Sequence, residues 1–185
     1  MLKNGIKDPI SALTHFIGLL ACIPCIFALI FKASHQDAMT QVIGFAIFGL
    51  SLVLLYGAST IYHTLYVSEA KTILLRRIDH IMIFVLIAGT YTPICLVSLA
   101  GPWGWTMLAL IWILAIGGAV MKIFWIQAPR WLSTSLYIIM GWLAVIAFVP
   151  LQRAVSWDGV GLLLAGGLAY TVGAVIYGLK KPNLP

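Results

Sequence analysis

Apolar residues fall into six long runs, roughly 10–31, 41–67, 78–99, 103–125, 131–150 and 158–179, joined by short connections that hold most of the charge. A run of about 20 residues is what an α-helix needs to cross the ~30 Å hydrocarbon core of a bilayer. None of the runs shows the two-residue alternation of a barrel strand. Helices, which satisfy their backbone hydrogen bonds within one segment, are therefore the predicted spanning elements. The breaks between runs carry turn chemistry: Ala100-Gly-Pro102 is the tightest, and Gln127-Ala-Pro-Arg130 is a clear helix breaker. No internal repeat, low-complexity tract or soluble domain interrupts the pattern. It predicts an all-α, polytopic transmembrane helix bundle, one domain over residues 1–185, with six spans as written.

Composition strengthens this picture. Hydrophobic residues make up 62% of the chain and charged residues 9%, against roughly a quarter charged in a soluble domain. In water such a chain would expose large apolar patches; in a bilayer the same surface faces lipid. The 11 basic residues outnumber the 5 acidic ones. They flank the apolar runs and form no cluster with interleaved aromatics, which argues against nucleic acid. Lys3, Lys7, Lys71, Arg76, Arg77, Lys122, Arg130, Lys180 and Lys181 fall on one side of the membrane, and only Lys32 and Arg153 on the other. The positive-inside rule then puts both termini in the cytoplasm. Trp103, Trp105 and Trp157 would sit at the outer interface, and Trp125 and Trp131 at the inner one, as anchors rather than as a site. Residues 1–31 do not read as a signal peptide, because the apolar run is too long and no small-x-small cleavage site follows. Cys22-Ile-Pro-Cys25 has the spacing of a redox or metal pair, but within an apolar run it reads as thiols flanking a helix proline.

Ionisable residues inside a span are functional candidates by default. The second run ends in Tyr56-Gly-Ala-Ser59-Thr-Ile-Tyr-His63-Thr-Leu-Tyr66. Ser59 and His63, four apart, share a helical face that Tyr56 and Tyr66 extend. The third run opens with Arg76-Arg-Ile-Asp79-His80, and Thr90 stands three turns above Asp79 on nearly the same face. The two runs are antiparallel, so His63 and Asp79 reach the same depth near the cytoplasmic leaflet. His15, near the inner end of the first run, lies at similar depth, whereas His35 belongs to an outer loop. Two readings stay open on spacing alone. In one, His63 is a metal ligand, Asp79 orients a ligand or activates a water, and Ser59 supports them. In the other, these residues form an interhelical hydrogen-bond cluster that fixes packing. His80, beside the arginine pair, reads as interfacial rather than as a ligand. Pro93 predicts a kink in the third span.

Tyr-Gly-Ala-Ser59-Thr-Ile-Tyr62-His63, followed by Arg77-Ile-Asp79-His80-Ile-Met-Ile-Phe-Val-Leu-Ile-Ala-Gly-Thr-Tyr-Thr-Pro93, closely resembles the hemolysin III proteins of bacteria, within the progestin and adipoQ receptor superfamily. Ala12-Leu-Thr-His15-Phe-Ile-Gly18 and Gly101-Pro-Trp-Gly104 extend the likeness along essentially the whole chain. The resemblance implies a seven-helix bundle with an intramembrane zinc ion near the cytoplasmic face. His63 would be one zinc ligand, and Asp79 the partner of the reacting water. Ser59 would be a supporting hydrogen bonder, and a His-x-x-x-His pair of the seventh helix would supply the other ligands. It also implies a bacterial inner-membrane location, zinc-dependent hydrolysis of a lipid amide, and ties to haemolytic activity or membrane lipid homeostasis.

The written chain stops at Lys180-Lys-Pro-Asn-Leu-Pro185, after the sixth run, and holds no His-x-x-x-His. Either it is a truncated version of a longer protein, or the protein lacks that metal chemistry, with His15 or His80 as the only substitute ligands at the right depth. Three function classes follow: a zinc-dependent membrane hydrolase, a non-enzymatic receptor-like membrane protein, and a pore-forming lysin. The signals of a resident membrane protein argue against the last. Membrane lipids are the expected partners. Gly117-Gly118 and Gly166-Gly167 allow close helix approach, within one chain or between copies in a homo-oligomer.

Overall fold

The computed structural model describes residues 5–36 and 38–179; Lys3, Lys180 and Lys181 of the orientation count lie outside the described residues. Every regular element among the described residues is helical: α1 (Pro9–Ser34), α2 (Met39–Thr64), α3 (Glu69–Pro93), α4 (Pro102–Phe124), α5 (Arg130–Trp142), α6 (Phe148–Ala154) and α7 (Trp157–Leu179). Five stretches are long and apolar enough to cross a membrane singly. The sixth candidate is the pair formed by α5 and α6, bent by 58°. The molecule is an all-α polytopic helix bundle.

The apolar surface points outward as well as inward. Phe27, Ile113 and Leu162 are 69%, 65% and 76% exposed, on three different helices. Helices that are apolar all round and still exposed belong in lipid. Trp103, Trp105, Trp125, Trp131 and Trp157 are all exposed at helix ends.

α3 is the axis of the bundle and packs against α2, α4 and α5. Its Phe84, Ile87, Ala88, Tyr91 and Cys95 form a continuous buried seam with Met107, Ile111 and Ala115 of α4 and Tyr137 and Met140 of α5. The seam is tight because small residues let backbones approach: any side chain at Gly89 would run into the Ser51 hydroxyl of α2.

Where the chain departs from plain helix, a local cause is visible. Pro93 removes one backbone donor, and α3 continues beyond it as a single π-turn, Ile94–Ser98. Gly101 takes a left-handed conformation (φ +91°) to turn the chain, and Pro102 opens α4.

The apolar run 131–150 is not one straight helix. α5 ends at Trp142, a short 3-10 segment spans Leu143–Val145, and α6 leaves at the 58° bend. The backbone groups freed by that break are met by α3. The Tyr91 hydroxyl donates to the Gly141 carbonyl at 2.8 Å and accepts from the Ala144 amide at 2.9 Å. A side chain inserted into the helical ladder is a recognised cause of such kinks, and within hydrocarbon those groups have no water to turn to. α7 packs against α5 and α6 and joins the bundle through them; the Trp142 indole N–H donates to Thr171 at 2.9 Å.

Candidate functional site

The last two turns of α2 and the first half of α3 run antiparallel, and this brings Ser59 and Asp79 together. Both are buried, and the Ser59 side chain lies beside the Asp79 carboxylate. Asp79 also lies within electrostatic range of His63, His15 and Lys7. The cluster is therefore built from three helices, α1, α2 and α3.

The two imidazoles are held in one tautomer. His15 Nδ1 is 2.7 Å from the Ser11 carbonyl oxygen, and His63 Nδ1 is 3.0 Å from Asp8 Oδ2. A carbonyl or carboxylate only accepts, so in each ring Nδ1 is the donor and Nε2 is the nitrogen left to face another partner. The rings stack with centroids 5.6 Å apart at 25°, and Tyr56 meets His15 edge-on at 6.2 Å.

Asp8 is the residue that sequence reasoning missed. The segment before α1 straps across the end of α2: the Asp8 amide donates to the His63 carbonyl at 2.9 Å and the Lys7 amide to Thr64 at 3.3 Å. Lys7 secures the strap, with its ammonium 3.5 Å from the Tyr62 ring centroid and 3.3 Å from the Tyr62 carbonyl. A signal was present in the sequence. Asp8 stands at the N-cap position of α1 but makes no side-chain capping bond. With Ser11 and His15 it also follows the three-four spacing of one helical face.

Other candidates go elsewhere. Thr90 is exposed, and its hydroxyl is bonded back to the Leu86 carbonyl at 2.8 Å. Tyr66 lies beyond the end of α2 and is exposed. His80 is buried rather than interfacial and faces α4 and α5; its carbonyl accepts from the Tyr137 hydroxyl at 3.3 Å. His35 closes the far end of α1. Cys22 is buried and Cys25 exposed, and both are free thiols.

A zinc ion needs three or four converging protein donors. Among the described residues no group of three His, Cys, Asp or Glu is placed to hold one. What His63 and its neighbours offer among the described residues is one imidazole anchored through its Nδ1, beside a carboxylate.

The profile of the family described as "Haemolysin-III related" matches residues 4–184. The chain is 44% identical to Hemolysin-3 of Bacillus cereus over 181 residues, covering 97% of this chain and 82% of that protein. It is 45% identical to the Hemolysin-3 homolog of Bacillus subtilis (strain 168), covering 95% of this chain and 83% of that one. A more distant likeness, 26% over 138 residues, links 71% of the chain to 56% of the human monocyte to macrophage differentiation factor. No solved structure matches. The multi-pass apolar bundle and these matches along nearly its whole length show that the chain belongs to the haemolysin-III family, and with it to the progestin and adipoQ receptor superfamily.

Proposed function

We propose that this protein is a zinc-dependent hydrolase of lipid amides in the bacterial inner membrane, with its N-terminus in the cytoplasm. The observation that carries the reading is the anchored His63 imidazole, its Nδ1 bonded to Asp8 at 3.0 Å, in the same cluster as the Ser59–Asp79 pair. In this reading His63 is one ligand, and the other protein ligands are the His-x-x-x-His pair of the family's seventh span, which the 185 residues do not include. Zinc held there would polarise a water and a substrate carbonyl.

The chain's own residues do the rest. Asp79 accepts and returns a proton at its carboxylate, held in place by Ser59. Asp8 keeps the Nε2 of His63 free and aimed. The apolar faces of the bundle admit acyl chains from the side, so the amide reaches the cluster from within the leaflet. Cleavage of membrane lipids would connect the protein to lipid homeostasis, and to the haemolysis for which its relatives are named.

The test is release of fatty acid from a short-chain ceramide by the purified full-length protein in detergent. Activity that needs zinc and disappears in His63→Ala is expected. Activity unchanged by that substitution rules the reading out.

A second reading is favoured by one observation, the absence of three converging donors among the described residues. There the cluster only locks α1, α2 and α3 together, and the protein is a receptor-like membrane protein without catalysis. It predicts that His63→Ala lowers thermal stability while Asp79→Asn leaves the phenotype intact.

A further inference from the structure

A second buried polar group lies on the opposite face of α3, where α3, α4 and α5 meet. Gly118 of α4 sits so close to the Phe84 ring that any side chain there would collide with it. Phe84 in turn packs on Tyr137 of α5, with centroids 4.6 Å apart. α3 and α4 are antiparallel, so one turn toward the basic end brings His80, four before Phe84, level with Lys122, four after Gly118. Arg76 is one turn further along the same face of α3, and Arg130 is the first residue of α5. His80 lies within electrostatic range of Lys122, Arg76 and Arg130, and Lys122 within range of Arg76.

Lys122 is only 2% exposed and has no ion pair among the described residues. Cations gathered this closely disfavour one another's charge, and an anion seated among them relieves that repulsion. Among the described residues Asp8 pairs with Lys7 and His63, and no carboxylate is paired with Lys122 or Arg76. Asp37 lies outside the described residues. An anion bound at Lys122 and Arg76 would thus come from outside the described residues.

What adjoins the cluster indicates its nature. A cavity of about 250 Å³ opens between α3, α5 and α7, lined by Ile83, Thr134, Tyr137, Tyr170, Gly173 and Ala174. Ile83 and Thr134 stand one turn above His80 and Arg130 on their helices. The walls are apolar, yet Thr134 Oγ1 and Tyr170 OH are buried there without hydrogen-bond partners. A ligand with a charged head, a few oxygens behind it and a hydrocarbon tail would satisfy all three features. Basic pockets between spanning helices bind lipid phosphates in this way.

We propose that Lys122, with Arg76, His80 and Arg130 around it, binds the phosphate of an anionic phospholipid from the leaflet at the basic end of the bundle. The acyl chain occupies the cavity between α5 and α7. The site shares no residue with the His63 cluster and does not depend on zinc.

The test compares binding of phosphatidylglycerol, phosphatidylcholine and inorganic phosphate to the full-length protein in detergent, by native mass spectrometry and thermal unfolding. Phosphatidylglycerol is expected to bind at least about fivefold more tightly than phosphatidylcholine and to raise the melting temperature, with inorganic phosphate giving no rise. Lys122→Met should abolish the preference. Arg76→Gln, at a half-buried position of the same ring, reads out the site should the first variant fail to fold. Equal affinity for the two lipids in the wild type overturns the proposal, as does a preference retained in the folded variants. An equal rise with inorganic phosphate overturns it in favour of a free-anion site.

Discussion

The imidazole of His63 owes its orientation to a residue 55 positions away in sequence, Asp8, through one hydrogen bond of 3.0 Å. A carboxylate on the far nitrogen of a histidine fixes the tautomer, fixes the ring plane and raises the basicity of the nitrogen left over. Removing such a partner usually weakens metal binding by about 10–100-fold. Asp8→Ala is therefore expected to lose zinc affinity by about that factor, with Asp8→Asn, which keeps an oxygen acceptor, in between. Competition of the purified full-length protein against a chromophoric chelator measures it. Affinity unchanged in Asp8→Ala, alongside affinity lost in His63→Ala, would remove Asp8 from the site while leaving the ligand assignment standing. The hairpin argument reads His63 and Asp79 as reaching one depth, since both helix ends arrive at the same level. The spacing of Asp8, Ser11 and His15 marks a shared face, but the contact with His63 was not legible, because it depends on the strap before α1 folding back over α2.

At the scale of elements, hydrophobic runs locate helices well because each span must be apolar over its whole length in lipid. The same logic hides breaks within a run: residues 131–150 read as one segment, and the backbone groups at the bend after Trp142 are bonded by Tyr91 of another helix. A kink signalled by the chain's own chemistry, as at Pro93, is visible in the sequence. One imposed by a neighbour is not. Tyr91→Phe keeps the ring in the core seam and removes only the hydroxyl, leaving a buried carbonyl and a buried amide without a partner. Each such orphan costs about 1–3 kcal/mol. The variant is expected to be destabilised by at least about that much, seen as a lower melting temperature in detergent and as faster proteolysis between α5 and α6. A variant as stable as the wild type would mean that the break is intrinsic to the segment 143–147.

The whole molecule has a strongly basic end and one with few charges, and its polar clusters sit at the basic end. The strap of Lys7 and Asp8, the end of α2, the start of α3, the end of α4 and the start of α5 all gather there, with both polar clusters one or two turns inside. The far end carries the α3–α4 turn at Gly101 and the exposed Trp103, Trp105 and Trp157. Juxtamembrane Lys and Arg are retained on the cytoplasmic side during insertion, so the asymmetry predicts that both clusters face the cytoplasmic leaflet. Single cysteines at Ala100 and Lys71, both exposed, report on the two ends. In a background with Cys22, Cys25 and Cys95 replaced, a membrane-impermeant maleimide is expected to label Ala100→Cys in intact cells. Lys71→Cys should react only after the inner membrane is opened. The reverse pattern would invert the bundle and move both clusters to the outer leaflet. A substrate or anionic lipid from the cytoplasmic leaflet would then have no route to either. Orientation thus decides, for the hydrolase reading and for the lipid site alike, which leaflet supplies the molecule that binds.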